Sequence, residues 1–407
     1  MAEREARAAR KKLIWRVVQI LISIVLVVAI FAYAIPKIAD YRSVWQAFIN
    51  MTWLELSSLV VATVFNLFTY WWQNMASMPG LGLWQAAVAN QTTTSIANTI
   101  PGGGYIAVGV GYTMYRSWGF PTSAIALSAL VTGIWNVFMK LGLPVIALAI
   151  LAVQGQASGG LVIASLVGVA VLAAGVVLFA LVLWKKEFAR RIGDALGRAV
   201  SFLLRLIRRP GVEQWGEAAV RFRRQTIDLV SKRGIALTVT TIVSHLALFL
   251  VLLLAVRHVG ISESEISTAQ VLGVFAFGRL VTALPLTPGG LGLVELSYIG
   301  GLIVAGRAHA NVPTEVFNAQ VAAAVLVFRT LTYGIQIPLG GFTYLIWRLN
   351  KSWRKPVETG RDPRPPSRRH RLAPCPPNPK AAPTCPRAAR PRAPTTRASV
   401  CPRREPR

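Results

Sequence analysis

Apolar runs long enough to cross a bilayer recur along this chain, separated by short polar or basic segments. A hydrocarbon core of about 30 Å takes about 20 helical residues to cross. The runs at 13–36, 52–75, 121–153, 161–184, 235–256 and 313–347 all reach that length. Soluble domains carry about 25% charged residues, whereas this chain carries 15% charged against 54% hydrophobic. The fold class these features predict is all-α, a polytopic bundle of transmembrane helices. The first run is too long for a signal-peptide core and no small-residue cleavage site follows it, so it reads as a retained anchor.

The net charge of +28 raises the question of a nucleic-acid partner. Its distribution argues against one. The cations collect in a stub from Arg4 to Lys12, in one mid-chain segment and in the C-terminal tail. Cytoplasmic segments of membrane proteins carry such an excess of Lys and Arg, and anionic lipid headgroups are their natural partners. Segment 185–233 holds 13 Lys/Arg against 5 acidic residues and is the strongest topological anchor. Within it Phe188, Ile192, Leu196, Ala199, Leu203 and Leu206 recur at helical spacing between arginines. This predicts an amphipathic helix, either lying on the inner leaflet or packing on the protein as an ordinary solvated helix. Counting crossings from a cytoplasmic stub puts both termini inside, provided each long run crosses once.

Three regions follow: a basic stub at 1–12, a transmembrane domain at 13–350 and a tail at 351–407. From 356 onward the tail holds 14 of the 24 prolines and almost no large apolar residues, so it cannot bury a core and is expected to be disordered. The three cysteines, Cys375, Cys385 and Cys401, all lie there at spacings that match no zinc pattern.

Two Pro-Gly breaks interrupt the apolar pattern, Pro101-Gly102-Gly103-Gly104 and Thr287-Pro288-Gly289-Gly290-Leu291-Gly292. Proline ends a helix and lacks an N–H, while glycine tolerates unusual dihedrals and close approach. Each break splits a hairpin, 81–100 with 105–115 and 266–286 with 291–305. Each hairpin precedes a long run that opens on Pro-Thr, Pro121-Thr122 and Pro313-Thr314. The first long run carries Lys140 and Pro144, the second Arg329 and Pro338. By the crossing count the two hairpins enter from opposite sides, which predicts an inverted repeat of broken, re-entrant hairpins around a site near the midplane.

At the second break, Thr287 is the expected N-cap and Pro288 the first helical residue. Amides at Gly289 and Gly290, together with the helix dipole, then form an anion site. Gly102, Gly103 and Gly104 would do the same at the first break. Glu295 follows within about two turns. Intramembrane ionisable residues are functional by default, which makes Glu295, Arg329 and Lys140 candidate substrate-binding groups. The bland alternative for Arg329 and Lys140 is a structural pair with Glu295 or with freed backbone carbonyls. Arg279, just ahead of the break, could instead snorkel to the surface. Asn90, Gln91, Thr92, Thr93, Thr94, Ser95 and Asn98 could bond the unwound backbone or line a headgroup path. The glycines after Pro101 form no P-loop, since no Gly-Lys-Ser/Thr follows them. No metal cluster or nucleophilic constellation is visible, and His245, His258, His309 and His370 are dispersed. No cofactor and no enzymatic activity are expected.

The stretch Leu286-Thr287-Pro288-Gly289-Gly290-Leu291-Gly292-Leu293-Val294-Glu295 resembles the flippase-like transmembrane region of lysylphosphatidylglycerol synthases and their stand-alone relatives. The same family resemblance covers Arg329-Thr330-Leu331-Thr332-Tyr333 and the turn Asn98-Thr99-Ile100-Pro101. Many relatives carry Gly-Glu after the first break, where this chain has Tyr105-Ile106-Ala107-Val108. The tail is too short and Pro-rich for the soluble aminoacyl-transferase domain. The resemblance thus implies lipid translocation in a bacterial plasma membrane and argues against lysyl transfer by this chain. The expected partners are membrane lipids, anionic phospholipid or polyprenyl phosphate, with an envelope enzyme as a possible protein partner. The alternative is a membrane-embedded enzyme or scaffold subunit acting on lipid-linked envelope precursors.

Overall fold

The computed structural model describes residues 51–100, 102–155, 159–206, 215–282 and 287–353, with a few isolated positions between 21 and 50. The expected stub, the first span, Pro101 and the tail beyond 353 lie outside the described residues.

Chain order follows the apolar runs. Helix α1 spans Trp53–Ser77, α2 Leu83–Thr99, α3 Gly103–Ser117, α4 Thr122–Val153, α5 Gly159–Trp184, α6 Lys186–Leu206 and α7 Trp215–His258. Helix α8 spans Thr268–Val281, a 3-10 turn covers Pro288–Gly290, α9 is Leu293–Gly306 and α10 is Thr314–Arg329. A π-turn at Thr330–Gly334 joins α10 to α11, Gln336–Leu349. No strand occurs among the described residues. The chain is an all-α, polytopic transmembrane bundle.

Local chemistry explains the boundaries. Thr52 caps α1 by accepting from the Glu55 amide, and Glu55 Oε2 accepts back from the Thr52 amide at 2.7 Å. Ser267 and Gln270 build the same reciprocal box at α8. Within the run 121–153, Thr122–Val153 form one helix of 32 residues. At 1.5 Å per residue this is about 48 Å, enough for one crossing with overhang. Pro144 sits inside it and removes the helical bond to the carbonyl of Lys140.

The structure departs from the sequence reading at the basic segment. Residues 215–233 form the first turns of α7, which runs 44 residues without a break into the span expected at 235–256. The amphipathic helix is present as α6, and one side of it packs on α7. Ala189, Gly193 and Gly197 make that face, four residues apart and all buried, with Trp215 and Gly216 opposite. Small residues at this spacing bring two helix backbones close. Leu196 and Phe202, on the remaining apolar stripe, are exposed. Packing on the protein and an unpartnered apolar edge therefore coexist on one helix.

The core gathers on α7 to α10. Val251, Leu252 and Ala255 meet Val271 and Phe275, Tyr298 and Ile299, and Phe317 and Val325. Helix α7 packs most extensively on α1, and α11 on α2. Buried polar bonds tie these pairs: Gln73 Nε2 donates to Thr241 Oγ1 at 2.7 Å, Asn66 Nδ2 to the Ser244 carbonyl at 3.1 Å, and Ser95 Oγ to the Ile337 carbonyl at 2.8 Å. In lipid such bonds hold helices that gain no hydrophobic energy from meeting. Outward faces are apolar: Val60, Val61, Leu166, Val177, Leu178 and Val304 are all exposed.

The loop between α7 and α8 is knitted by two carboxylates. Glu265 accepts from the Ser262 and Asn311 amides, and Glu263 from the Thr268 amide and Arg257. Partial burial pushes both carboxyls upward, but these donors outweigh it and hold them below the ordinary glutamate value.

Candidate functional site

Glu295 is buried, 1% exposed in the first turn of α9. One oxygen, Oε2, accepts from the Gly292 amide at 2.6 Å. The other, Oε1, accepts from Arg329 Nε at 2.6 Å. Glu295 thus caps its own helix and neutralises an arginine 34 positions away. Arg329 reaches on to the Gly289 carbonyl at 3.3 Å, and its guanidinium lies 4.4 Å from the centre of the Tyr333 ring. The π-turn directly after Arg329 adds one residue to the helical register. Such insertions recur at functional sites.

The second break begins differently from the expected N-cap arrangement. Thr287 is buried with its Oγ1 unpartnered, and the helix starts at Leu293 behind Gly292. Gly290 N–H donates to the Thr287 carbonyl, and Gly292 N–H to Glu295. Those amides are committed within the protein before any ligand arrives. Gly289 adopts a φ of 55°, and a Cβ there would run into the Tyr333 ring and meet Asn98 Oδ1 at 2.8 Å. Only glycine satisfies both demands. Tyr333 Oη donates to the Asn98 carbonyl at 2.6 Å. Asn98, four residues ahead of the first glycine run, therefore joins the two breaks.

At the first break Gly102 caps α3 with a φ of 69°, and Gly103 N–H donates to the Ile100 carbonyl at 2.7 Å. A Cβ at Gly103 would collide with the Ile96 carbonyl, so this glycine allows the tight return of the hairpin. Gly102 and Gly104 are exposed, with open space where a Cβ would stand. Neither lines the site around Arg329.

That site is a polar cavity of about 350 Å³. Asn74 of α1, Asn90 and Asn98 of α2, Asn136 of α4, and Gln336 of α11 supply amides. Arg279 of α8 and Arg329 of α10 supply guanidinium groups. Gly289 alone of the expected glycines reaches its wall. Lys140 is not in the wall but lies close enough to Arg279 to interact with it electrostatically. Arg279 and Asn136 carry more of this cavity than their sequence positions suggested. For Arg279 the only prior signal was a cation inside an apolar run.

Residues 18–340 match the family described as lysylphosphatidylglycerol synthase TM region. The chain belongs to this family. Comparison with curated proteins gave no match. Family membership and five helices long and apolar enough to cross a bilayer, among the described residues, identify an integral membrane protein. In this member of the lysylphosphatidylglycerol synthase transmembrane family, Glu295, Arg329, Gly289, Tyr333 and Asn98 form one bonded junction, and the cavity opens beside it.

Proposed function

We propose that this chain moves a lipid with an anionic headgroup, a phospholipid or a polyprenyl phosphate, between the leaflets of a bacterial plasma membrane. The observation that carries the reading is the polar cavity itself, two guanidinium groups and a set of amides among helices whose outer faces are apolar. Polar groups of this kind are costly inside a membrane and collect along substrate paths. Four flanking helices, α2, α3, α8 and α9, have 17, 15, 14 and 14 residues, short of a full crossing. Paired short helices meeting at Gly/Pro breaks are the arrangement of transporter sites near the midplane. If the two hairpins form an inverted repeat, the Asn98–Gly289–Tyr333 junction is where the halves would move against each other.

In this reading the chain is not an enzyme. Glu295, the buried carboxylate nearest the cavity, is held in an ion pair with Arg329. The test is headgroup accessibility of a labelled phospholipid in proteoliposomes, for the native chain, Glu295→Gln and Arg329→Ala. The native chain should equilibrate the leaflets, and both variants should slow exchange. Native protein that behaves like empty liposomes would sink the reading. Product formed from a lipid-linked sugar by the purified chain would favour the enzyme instead.

A further inference from the structure

The two guanidinium groups of the cavity are in opposite electrostatic states. Arg329 arrives neutralised by Glu295 and stacked on Tyr333. Arg279 lies in the last turn of α8, and its Nε is buried without a hydrogen-bond partner. No carboxylate comes within ion-pair distance of it among the described residues. His245 is 2% exposed, with Nδ1 against the Thr241 carbonyl and Nε2 unpartnered. A guanidinium at low dielectric, without a counter-charge, is a strong attractor for an anion.

A second cavity touches the first. It measures about 700 Å³ and shares Asn74, Asn90, Thr94 and Thr132 with the polar one. From there its wall continues along Ala107 and Val108 of α3 and Ile125, Ala126 and Ala129 of α4. Polar chamber and apolar groove thus adjoin at these four side chains, an arrangement that suits a molecule with a charged head and a hydrocarbon chain.

We propose that Arg279, not Arg329, holds the phosphate of a lipid bearing net negative charge, with the lipid's hydrocarbon chain in the groove between α3 and α4. The proposal rests on the lipid-translocation reading and adds the residue that selects the substrate. Neutral amides at Asn90, Asn98 and Asn136 can donate to the remaining phosphate oxygens. A zwitterionic headgroup would bring its own cation towards Arg279 and Lys140 and be repelled.

The test is lipid retention on the purified full chain, measured by native mass spectrometry with phosphatidylglycerol, phosphatidylcholine and inorganic phosphate as probes. Phosphatidylglycerol should be retained over phosphatidylcholine. Arg279→Gln should cut that preference about tenfold, the scale of one lost charge-assisted hydrogen bond. Arg279→Lys should keep most of it, which a folding defect would not allow. Ala126→Trp should weaken phosphatidylglycerol binding by filling the groove. Inorganic phosphate that displaces phosphatidylglycerol, in a chain where Ala126→Trp has no effect, would mean a free-anion site and overturn the lipid assignment. Retention unchanged in Arg279→Gln would overturn the role of Arg279. Retention does not require transport, so selective binding without flipping would leave this proposal standing and fail only the translocation reading.

Discussion

Among single residues, Glu295 has the largest energetic consequence. It is buried, bonded to Arg329 and bonded to the Gly292 amide. Removing one member of a buried ion pair costs about 3–5 kcal/mol, because the surviving charge is stranded, whereas replacing both by apolar groups is far milder. Glu295→Ala should therefore lower the melting temperature in detergent by several degrees, and adding Arg329→Met should restore most of the loss. A Glu295→Ala chain that melts like the native one would show that the pair does not hold the second break together. Both charges could be read from the sequence as intramembrane groups, and a pair between them was one of two alternatives there. Nothing in the sequence chose between these, since 34 positions separate them and no local pattern states a contact. Arg279 looked able to snorkel for the same reason: its depth in the membrane and its direction around the helix are set by neighbours, not by sequence position.

At the scale of elements, α2 and α11 approach more closely than ordinary side chains allow. A Cβ on Gly340 would run into Ser95 Cβ and the Gln91 carbonyl, and Ser95 bonds the Ile337 carbonyl across the same contact. Thr92 and Thr343 bond at 3.0 Å farther along. The adjacent Gly341 faces open space. Gly340→Leu should force the helices apart and cost about 1–3 kcal/mol by overpacking. Gly341→Leu should be close to neutral. Thermal unfolding of the two variants side by side checks this, and equal effects would deny the close contact. Helix positions were legible because apolar periodicity and capping residues are local: α1, α5, α8 and α9 begin and end within a few residues of the runs that predicted them. That α7 reaches back into the basic segment was not legible, for the opposite reason. Charged residues mark a side of the membrane, but they do not stop a helix, and α7 continues through them.

For the whole molecule, the decisive question is how the two hairpins enter the membrane. Asn98 of the first hairpin lies against Gly289 of the second, so the two tips share one depth in the bundle. Helices of 14 to 17 residues reach only part of the way across about 30 Å of hydrocarbon. Tips that meet after partial crossings from opposite faces would lie near the midplane. Hairpins that enter from one face would meet there only if both were tilted alike. The crossing count assigns the first hairpin to the cytoplasmic face and the second to the outer face. Single cysteines at Gly104, where a side chain meets open space, and at half-buried Leu291 sample the two tips. Cys375, Cys385 and Cys401 are first changed to serine to clear the background. A membrane-impermeant thiol reagent should then label Gly104→Cys only from the cytoplasmic side and Leu291→Cys only from outside. Labelling of both from one side would remove the inverted arrangement. Labelling from the reversed sides would mean that each short helix, with its flanking residues, completes a crossing and that the breaks lie at the surfaces. Labelling from opposite sides as expected would place the two tips near the midplane beside the cavity, the position of transporter sites built on broken helices.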